Sequence, residues 1–362
     1  MKDNRLNQMQ FLRTLAFLNI YMLHAGHWDL FGYPSWFGAI SAVSFFFMLS
    51  GFLTGYYFHT EDAKPGMKAY GSYMYRKLSK FYPLYALTTL CAVIFSSLPQ
   101  DIASGYPDRI LPSTIQLFKN LLCIQSWFPD GFLAYNGPCW FSSTLLFLTA
   151  LNIPFFFLLK RIEKSRKVLH WLLALTILFF CGTFLYSYLV QNGSLQFLHY
   201  ILPLSRIGIY LGSMTLGLLI RIYTQHLANE YVPDRFFTAA EILSLMLWFC
   251  SLFFPWKPWM EWNAAWILPN SIVLIAFSFG RGFLSRLFSS RMLVWIGNVT
   301  FECYLIHSLI IPLYGKFNKF DTTYTLGSLF SLVFCLLITY AIAFYVHRPS
   351  IAAHTSSHTN KS

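Results

Sequence analysis

Charge is what this 362-residue chain has least of: Asp, Glu, Lys and Arg make up 11% of it, against 56% hydrophobic residues. A soluble domain carries roughly a quarter charged residues, so less than half the usual water-facing side chains are present. A water-soluble globular fold is thereby excluded, and lipid must be the solvent for most of the molecule. The motifs of soluble catalysis are missing too. There is no P-loop, no G-x-S-x-G, no H-E-x-x-H and no dinucleotide fingerprint. The 7 Cys follow neither a metal-ligand spacing nor a secreted disulfide pattern, and most lie inside apolar runs, where a free thiol acts as a small hydrophobe. Cys123 and Cys139 alone are candidates for an external bridge. No metal site is expected, and no internal repeat is evident. Acidic residues are scarce, 14 against 26 Lys and Arg, for a net charge of +12. Those cations fall in short clusters between long apolar runs, which argues against a nucleic-acid partner and for loops facing the cytoplasm.

Aromatic residues are abundant instead, at 20% with 38 Phe, 22 Tyr and 11 Trp. They suit both the lipid-facing body of a helix and the headgroup belt. A crossing helix needs about 20 apolar residues. The hydropathy pattern predicts an all-α integral membrane bundle of about ten transmembrane helices, near 12–31, 36–58, 81–98, 139–159, 168–190, 199–220, 238–255, 262–280, 292–314 and 325–346. The first run contains polar residues and lacks an A-x-A end, so it reads as a retained helix and not as a cleavable signal. With both termini cytoplasmic, 19 of the basic residues fall inside and 5 outside, with Arg13 and Arg206 within helices. Omitting one span would invert every later loop and spoil that asymmetry. The long segment 99–138 is then external, with an interfacial or re-entrant helix expected over Ile110 to Phe128. Residues 1–348 form one membrane domain, and 349–362 read as a disordered polar tail whose His354 and His358 are a frayed end and not a metal site.

Ionisable groups at membrane depth cost about 3 kcal/mol each on insertion scales, so they mark sites. The first expected helix carries Arg13, Asn19, His24 and His27. Eleven residues separate Arg13 from His24, three helical turns plus about 20°, which puts both on one face about 16 Å apart. Arg13 sits near the inner end and His24 in the outer half. Arg206 on the sixth span, and Glu302 and His307 on the ninth, reach comparable depth and are expected to converge with Ser50 and Trp140 on one wet cavity. A plainer reading pairs Arg206 with Glu302 as a helix clasp. Glu302 and His307 lie about 140° apart and do not share a face. In the second cytoplasmic loop, Arg76, Lys77 and Lys80 suit capture of a phosphate-bearing donor, although inside-positive anchoring alone accounts for such residues.

Several blocks resemble the acyltransferase-3 family of polytopic membrane acyltransferases. Phe11-Leu12-Arg13 through His24 is similar to that family's Arg, ten residues, His pattern, and Phe45-Phe46-Phe47-Met48-Leu49-Ser50-Gly51-Phe52-Leu53 to its F-F-x-L-S-G-F-L segment. Arg76 to Pro83 resembles its basic R-x-x-x-R-x-x-P stretch. Gln125-Ser126-Trp127 and Asn136-Gly137-Pro138-Cys139-Trp140-Phe141 resemble its external loop. Pro203-Leu204-Ser205-Arg206 with Leu211-Gly212 and Gly217 resembles its sixth-span pattern, and Gly297-Asn298-Val299-Thr300-Phe301 through Tyr304-Leu305-Ile306-His307 its late Y-L-x-H block. Two places depart: Ser142, Ser143 and Thr144 stand where many members have Glu after the Trp, and His347-Arg348-Pro349 where many have Glu near Pro.

The resemblance implies acyl transfer from acyl-CoA, usually acetyl-CoA, to a hydroxyl of an extracytoplasmic glycan or other cell-surface acceptor, by an O-acetyltransferase-like enzyme of the plasma membrane. The bilayer, acyl-CoA and the acceptor are its partners. His24 and Arg13 are the expected catalytic pair, with His24 as general base. Arg76, Lys77 and Lys80 are expected to hold the donor phosphates. Ser50 or the region of His307 would polarise the carbonyl or orient His24. The rival from another class is a transporter or flippase of a small solute or lipid-linked sugar, which intramembrane charges suit equally well.

Overall fold

The computed structural model describes residues 5–25, 35–95, 110–193, 195–227, 231–317 and 326–359. His27 and the outer end of the first expected span lie outside them, as do Lys2, Arg109, Lys319 and Lys361. The described residues are helical and contain no strand. In chain order the helices are α1 (Gln8–His24), α2 (Ser35–Tyr56), α3 (Met67–Phe95), α4 (Ile110–Leu121), α5 (Trp140–Ala150), α6 (Asn152–Glu163), α7 (Val168–Leu189), α8 (Pro203–Leu227), α9 (Asp234–Ser251), α10 (Ile267–Ser278), α11 (Phe283–Phe288), α12 (Arg291–Asn298), α13 (Thr300–Phe317) and α14 (Leu326–Thr359).

Among the described residues, five helices are long and apolar enough to cross a membrane, or up to seven if each bent pair counts as one span. The pairs are α5 with α6, bent by 43° at Leu151, and α12 with α13, bent by 56° at Val299. Three expected spans fall on helices that miss that standard. The described part of α1 has 17 residues. α9 has 18 but includes Asp234, Arg235 and Glu241, and α10 has 12. α3 begins at Met67, well before the expected start at 81, so Arg76, Lys77 and Lys80 ride on a helix and not in a loop. Met67, Lys68, Ala69, Met74, Arg76, Lys77, Leu78 and Lys80 are good helix formers and carry the helix beyond its apolar part despite Gly71. α4 takes the place of the expected interfacial helix, and α14 continues in helix past position 348.

α2 is the axis of the bundle. Of its apolar stretch 72% is buried, against 17% for α7, which shows Trp171, Ile177, Leu178 and Leu185 outward. Such exposed apolar sides require lipid around them. α2 lies against α8 at backbone contact: a Cβ on Gly51 would sit 2.2 Å from the Tyr210 carbonyl oxygen, and one on Gly55 1.8 Å from that of Met214. Gly217 answers from α8, 2.0 Å from the Phe52 oxygen. Small residues four apart let membrane helices approach this closely, and the gain is van der Waals contact. α1 is seated on the far side, where Gln8 donates to the Phe277 carbonyl at 2.7 Å and Gly297 abuts the Gln10 backbone.

Gly55→Leu is therefore expected to destabilise the detergent-solubilised protein by about 1–3 kcal/mol, the range for overpacking. Gly182→Leu on α7, where nothing lies within 4 Å of the added carbon, should leave the unfolding temperature unchanged. Equal melting of both variants would refute the contact.

Candidate functional site

The basic end of the bundle is assembled by short-range pairings. Arg221 at the end of α8 donates to the Phe58 carbonyl and pairs with Glu163 at 2.6 Å. Asp234 meets Arg281 at 3.0 Å and Arg286 at 3.1 Å; those guanidiniums hold its carboxyl below the usual range. Between α1, α2, α3 and α6 opens a cavity of about 590 Å³ whose lining includes Arg13, Ser50, Lys64, Arg76 and Lys77, with Asp62 as the acidic member. Lys80, nearly one turn beyond Lys77, is not in the lining. Arg13 is steadied by Gln10 Oε1 at 2.9 Å, and Arg76 by Ser72 Oγ at 3.3 Å. The Lys77 ammonium lies 5.4 Å from the Tyr73 ring centre. A buried bridge supports the floor: Asn152 donates to the Tyr73 hydroxyl at 2.8 Å and accepts from Tyr210 at 3.0 Å.

His24 and His307 form a second centre near the other end of α1. Their ring centres are 5.1 Å apart in an edge-on arrangement. His24 is exposed and His307 fully buried. His307 Nδ1 lies 3.2 Å from the Cys303 carbonyl, an acceptor, so Nδ1 carries the proton. Its Nε2 is buried without a hydrogen-bond partner. The stripe from Arg13 to His24 thus ends on an exposed imidazole, and the buried one belongs to α13. Neither ring lines the inner cavity. One turn before Ser50 on α2, Phe46 lies 6.1 Å from Phe141 and 6.4 Å from Tyr304, which stands 5.8 Å from His307.

The segment before α5 docks beside this centre. Asn136 donates to the Leu305 carbonyl at 3.0 Å and accepts from Ser308, and Tyr304 donates to the Pro138 carbonyl at 2.9 Å. Sequence reading quoted Asn136 and Tyr304 within the family-like blocks but gave neither this role, and Ser308 follows the last quoted letter, His307. Nor did that reading single out Tyr210 and Asn152. Cys123 and Cys139 are both buried free thiols, so no bridge joins them.

Arg206 and Glu302 do not meet. Wide π-type turns over Leu195–Ile201 leave the Tyr200 carbonyl open, and Arg206 Nε takes it at 3.0 Å. Its other nitrogens bond Asn263 Oδ1 at 2.8 Å, Ser44 Oγ at 3.2 Å and the Trp262 carbonyl at 3.4 Å. The guanidinium also lies over Tyr200, 4.8 Å from a ring that packs on Trp140 at 4.8 Å. Buried, with four hydrogen bonds to neutral acceptors, Arg206 holds helices together. Glu302 pairs instead with His347 of α14 at 2.7 Å. Neither residue, nor Trp140, borders the inner cavity. Among the described residues no group of three His, Cys, Asp or Glu is placed to hold a metal ion.

A profile described as an acyltransferase domain matches residues 6–346. The chain belongs to the acyltransferase-3 family. No curated protein and no solved structure matches it. The matched span covers both centres, so this acyltransferase-3 protein carries its cationic cavity and its imidazole pair within one membrane acyltransferase domain.

The docked loop gives a pH test. Lys119 and Gln116 bond the Asp130 carboxylate at 2.9 and 2.7 Å and hold its titration below the usual 3.8. A lowered carboxyl contributes its stabilisation above the unfolded value and loses it as pH falls through the folded one. Hydrogen-exchange protection over 128–135, with the intrinsic pH dependence of amide exchange divided out, should be constant from pH 7 to 5 and fall only below about pH 3.9; lost protection near pH 6 would contradict the assignment.

Proposed function

We propose that this protein is a membrane O-acyltransferase that takes an acyl group, acetyl as the expected case, from cytoplasmic acyl-CoA. It places that group on a hydroxyl of an extracytoplasmic glycan or other cell-surface acceptor. The observation that carries this reading is the cavity at the basic end, where Arg13, Lys64, Arg76 and Lys77 face a common space. Four cations against one carboxylate suit a ligand with several phosphates, and the Arg forks add bidentate geometry. Membership of the acyltransferase-3 family supplies the reaction class.

Ten spans with both termini cytoplasmic complete the proposal. α1, α9 and α10 cross as the short or charged members beside the seven longer units. That arrangement puts the cavity cations, Arg221 and Arg281 on the plasma membrane's inner side, as the inside-positive bias requires. The donor's phosphates rest in the cavity and its acyl arm passes outward along α1, parting the rings of Phe46 and Tyr304. At His24 the imidazole removes the acceptor's hydroxyl proton. A C–O bond forms as the C–S bond breaks, and the proton passes to the departing thiolate.

His24→Ala is expected to abolish transfer of labelled acyl groups in membranes while leaving folded yield and insertion intact; near-normal transfer would sink the assignment. Arg76→Ala should raise the KM for acyl-CoA about tenfold, a loss of about 1.4 kcal/mol, with the acceptor KM unchanged. An unaltered donor requirement would remove Arg76 from the cradle. Mass spectrometry of surface glycans from cells with and without the protein tests the reaction itself. Missing acyl groups in its absence support transfer, whereas unchanged glycans with altered solute uptake would establish the transporter reading.

A further inference from the structure

We infer that His307 is a positioning residue, a neutral imidazole whose Nε2 accepts a hydrogen bond from His24 and so aims the other His24 nitrogen at the acceptor. The inference rests on the reading of His24 as the base and adds the group that orients it.

Five observations converge. His307 Nδ1 faces a backbone carbonyl at 3.2 Å, which fixes the proton there and leaves Nε2 as a bare lone pair. Nε2 is buried without a partner, and an unmet polar atom in a dry site costs about 1–3 kcal/mol, which selects for some group to answer it. The hydroxyls of Tyr21, Tyr304 and Ser308 are engaged elsewhere, and the unmet Tyr340 hydroxyl belongs to a ring packed against Phe17. Tyr21 donates to the Leu332 carbonyl at 2.7 Å, Tyr304 to that of Pro138 at 2.9 Å, and Ser308 to Asn136. What remains beside the ring is His24, edge-on at 5.1 Å between centres, so a small turn about its side-chain bonds brings nitrogen to nitrogen. Phe17, at 5.5 Å and nearly perpendicular, walls the other side and keeps His307 from rotating away.

In enzymes whose base is oriented by a carboxylate, the orienting group selects a tautomer and steadies the imidazolium that forms. Here the orienting group is uncharged. Both the family's departures and Glu302 bear on this: no carboxylate stands after Trp140, and Glu302 is committed to His347. His24 donates its distal N–H to His307 Nε2, takes the acceptor's proton on the other nitrogen, and returns that proton to the thiolate. His307 stays neutral throughout.

The test combines kinetics with a readout that does not depend on turnover. In intact membranes, carbethoxylation of the exposed His24 by diethyl pyrocarbonate is followed by peptide mass spectrometry in wild type, His307→Gln and His307→Leu. Gln places an acceptor oxygen near the Nε2 position, and Leu does not. We expect His307→Leu to lower kcat about 100-fold, the lower end of what a positioned base contributes, with the KM for acyl-CoA unchanged and His24 labelling slowed severalfold. His307→Gln should recover both to within about tenfold of wild type. His24 labelling that is the same in all three proteins, or equal defects in the Gln and Leu variants, overturns the inference. Activity retained by His24→Ala would instead end the base assignment, and the labelling comparison would still decide whether the rings are coupled.

Discussion

Backbone contact between α2 and α8 is the constraint on which the rest depends. Gly51, Gly55 and Gly217 remove side chains from the interface, and each helix uses the other's carbonyls as its wall. In lipid there is little hydrophobic gain from pressing two apolar helices together, so contact of this kind must supply the attraction. Once the pair is fixed, Ser50 and Thr54 face the inner cavity, Tyr210 reaches Asn152, and Arg206 reaches Ser44 across the seam. A shift of α2 by one methyl group would move Ser50 and Thr54 in the cavity wall and part Ser44 from Arg206.

Two kinds of buried polar group follow from that frame. Arg206 makes four hydrogen bonds to neutral acceptors, and its charge is spread over two carbonyls, an amide oxygen, a hydroxyl and ring faces. His307 is the opposite case, with one nitrogen fixed and one left bare. The contrast separates a group that holds the bundle from a group that waits for a partner, and it does so by counting hydrogen bonds and not by depth in the membrane.

Much of the fold was legible because lipid makes hydropathy a strong signal: α2 and α7 fall within a few residues of the expected spans. Breaks at Leu151 and Val299 were not, although Pro154 and Gly297-Asn298 stand beside them, since membrane helices also tolerate such residues without breaking. Arg76 and Lys77 could be named from charge alone, but their position on a helix depended on how far α3 propagates inward. The pairing of Glu302 with His347 was hidden for a different reason. It joins residues 45 apart on separate helices, and helical periodicity speaks only within one helix. Asn136, Ser308 and the Tyr73–Asn152–Tyr210 bridge escaped for the same reason, being products of tertiary docking.

The rings of Phe46, Phe141 and Tyr304 form one aromatic cluster that reaches from one turn before Ser50 to His307. In the proposed reaction that cluster has to part for the acyl arm and close behind it. A seal of that kind would let chemistry cross an insulating sheet without leaving a hole in it.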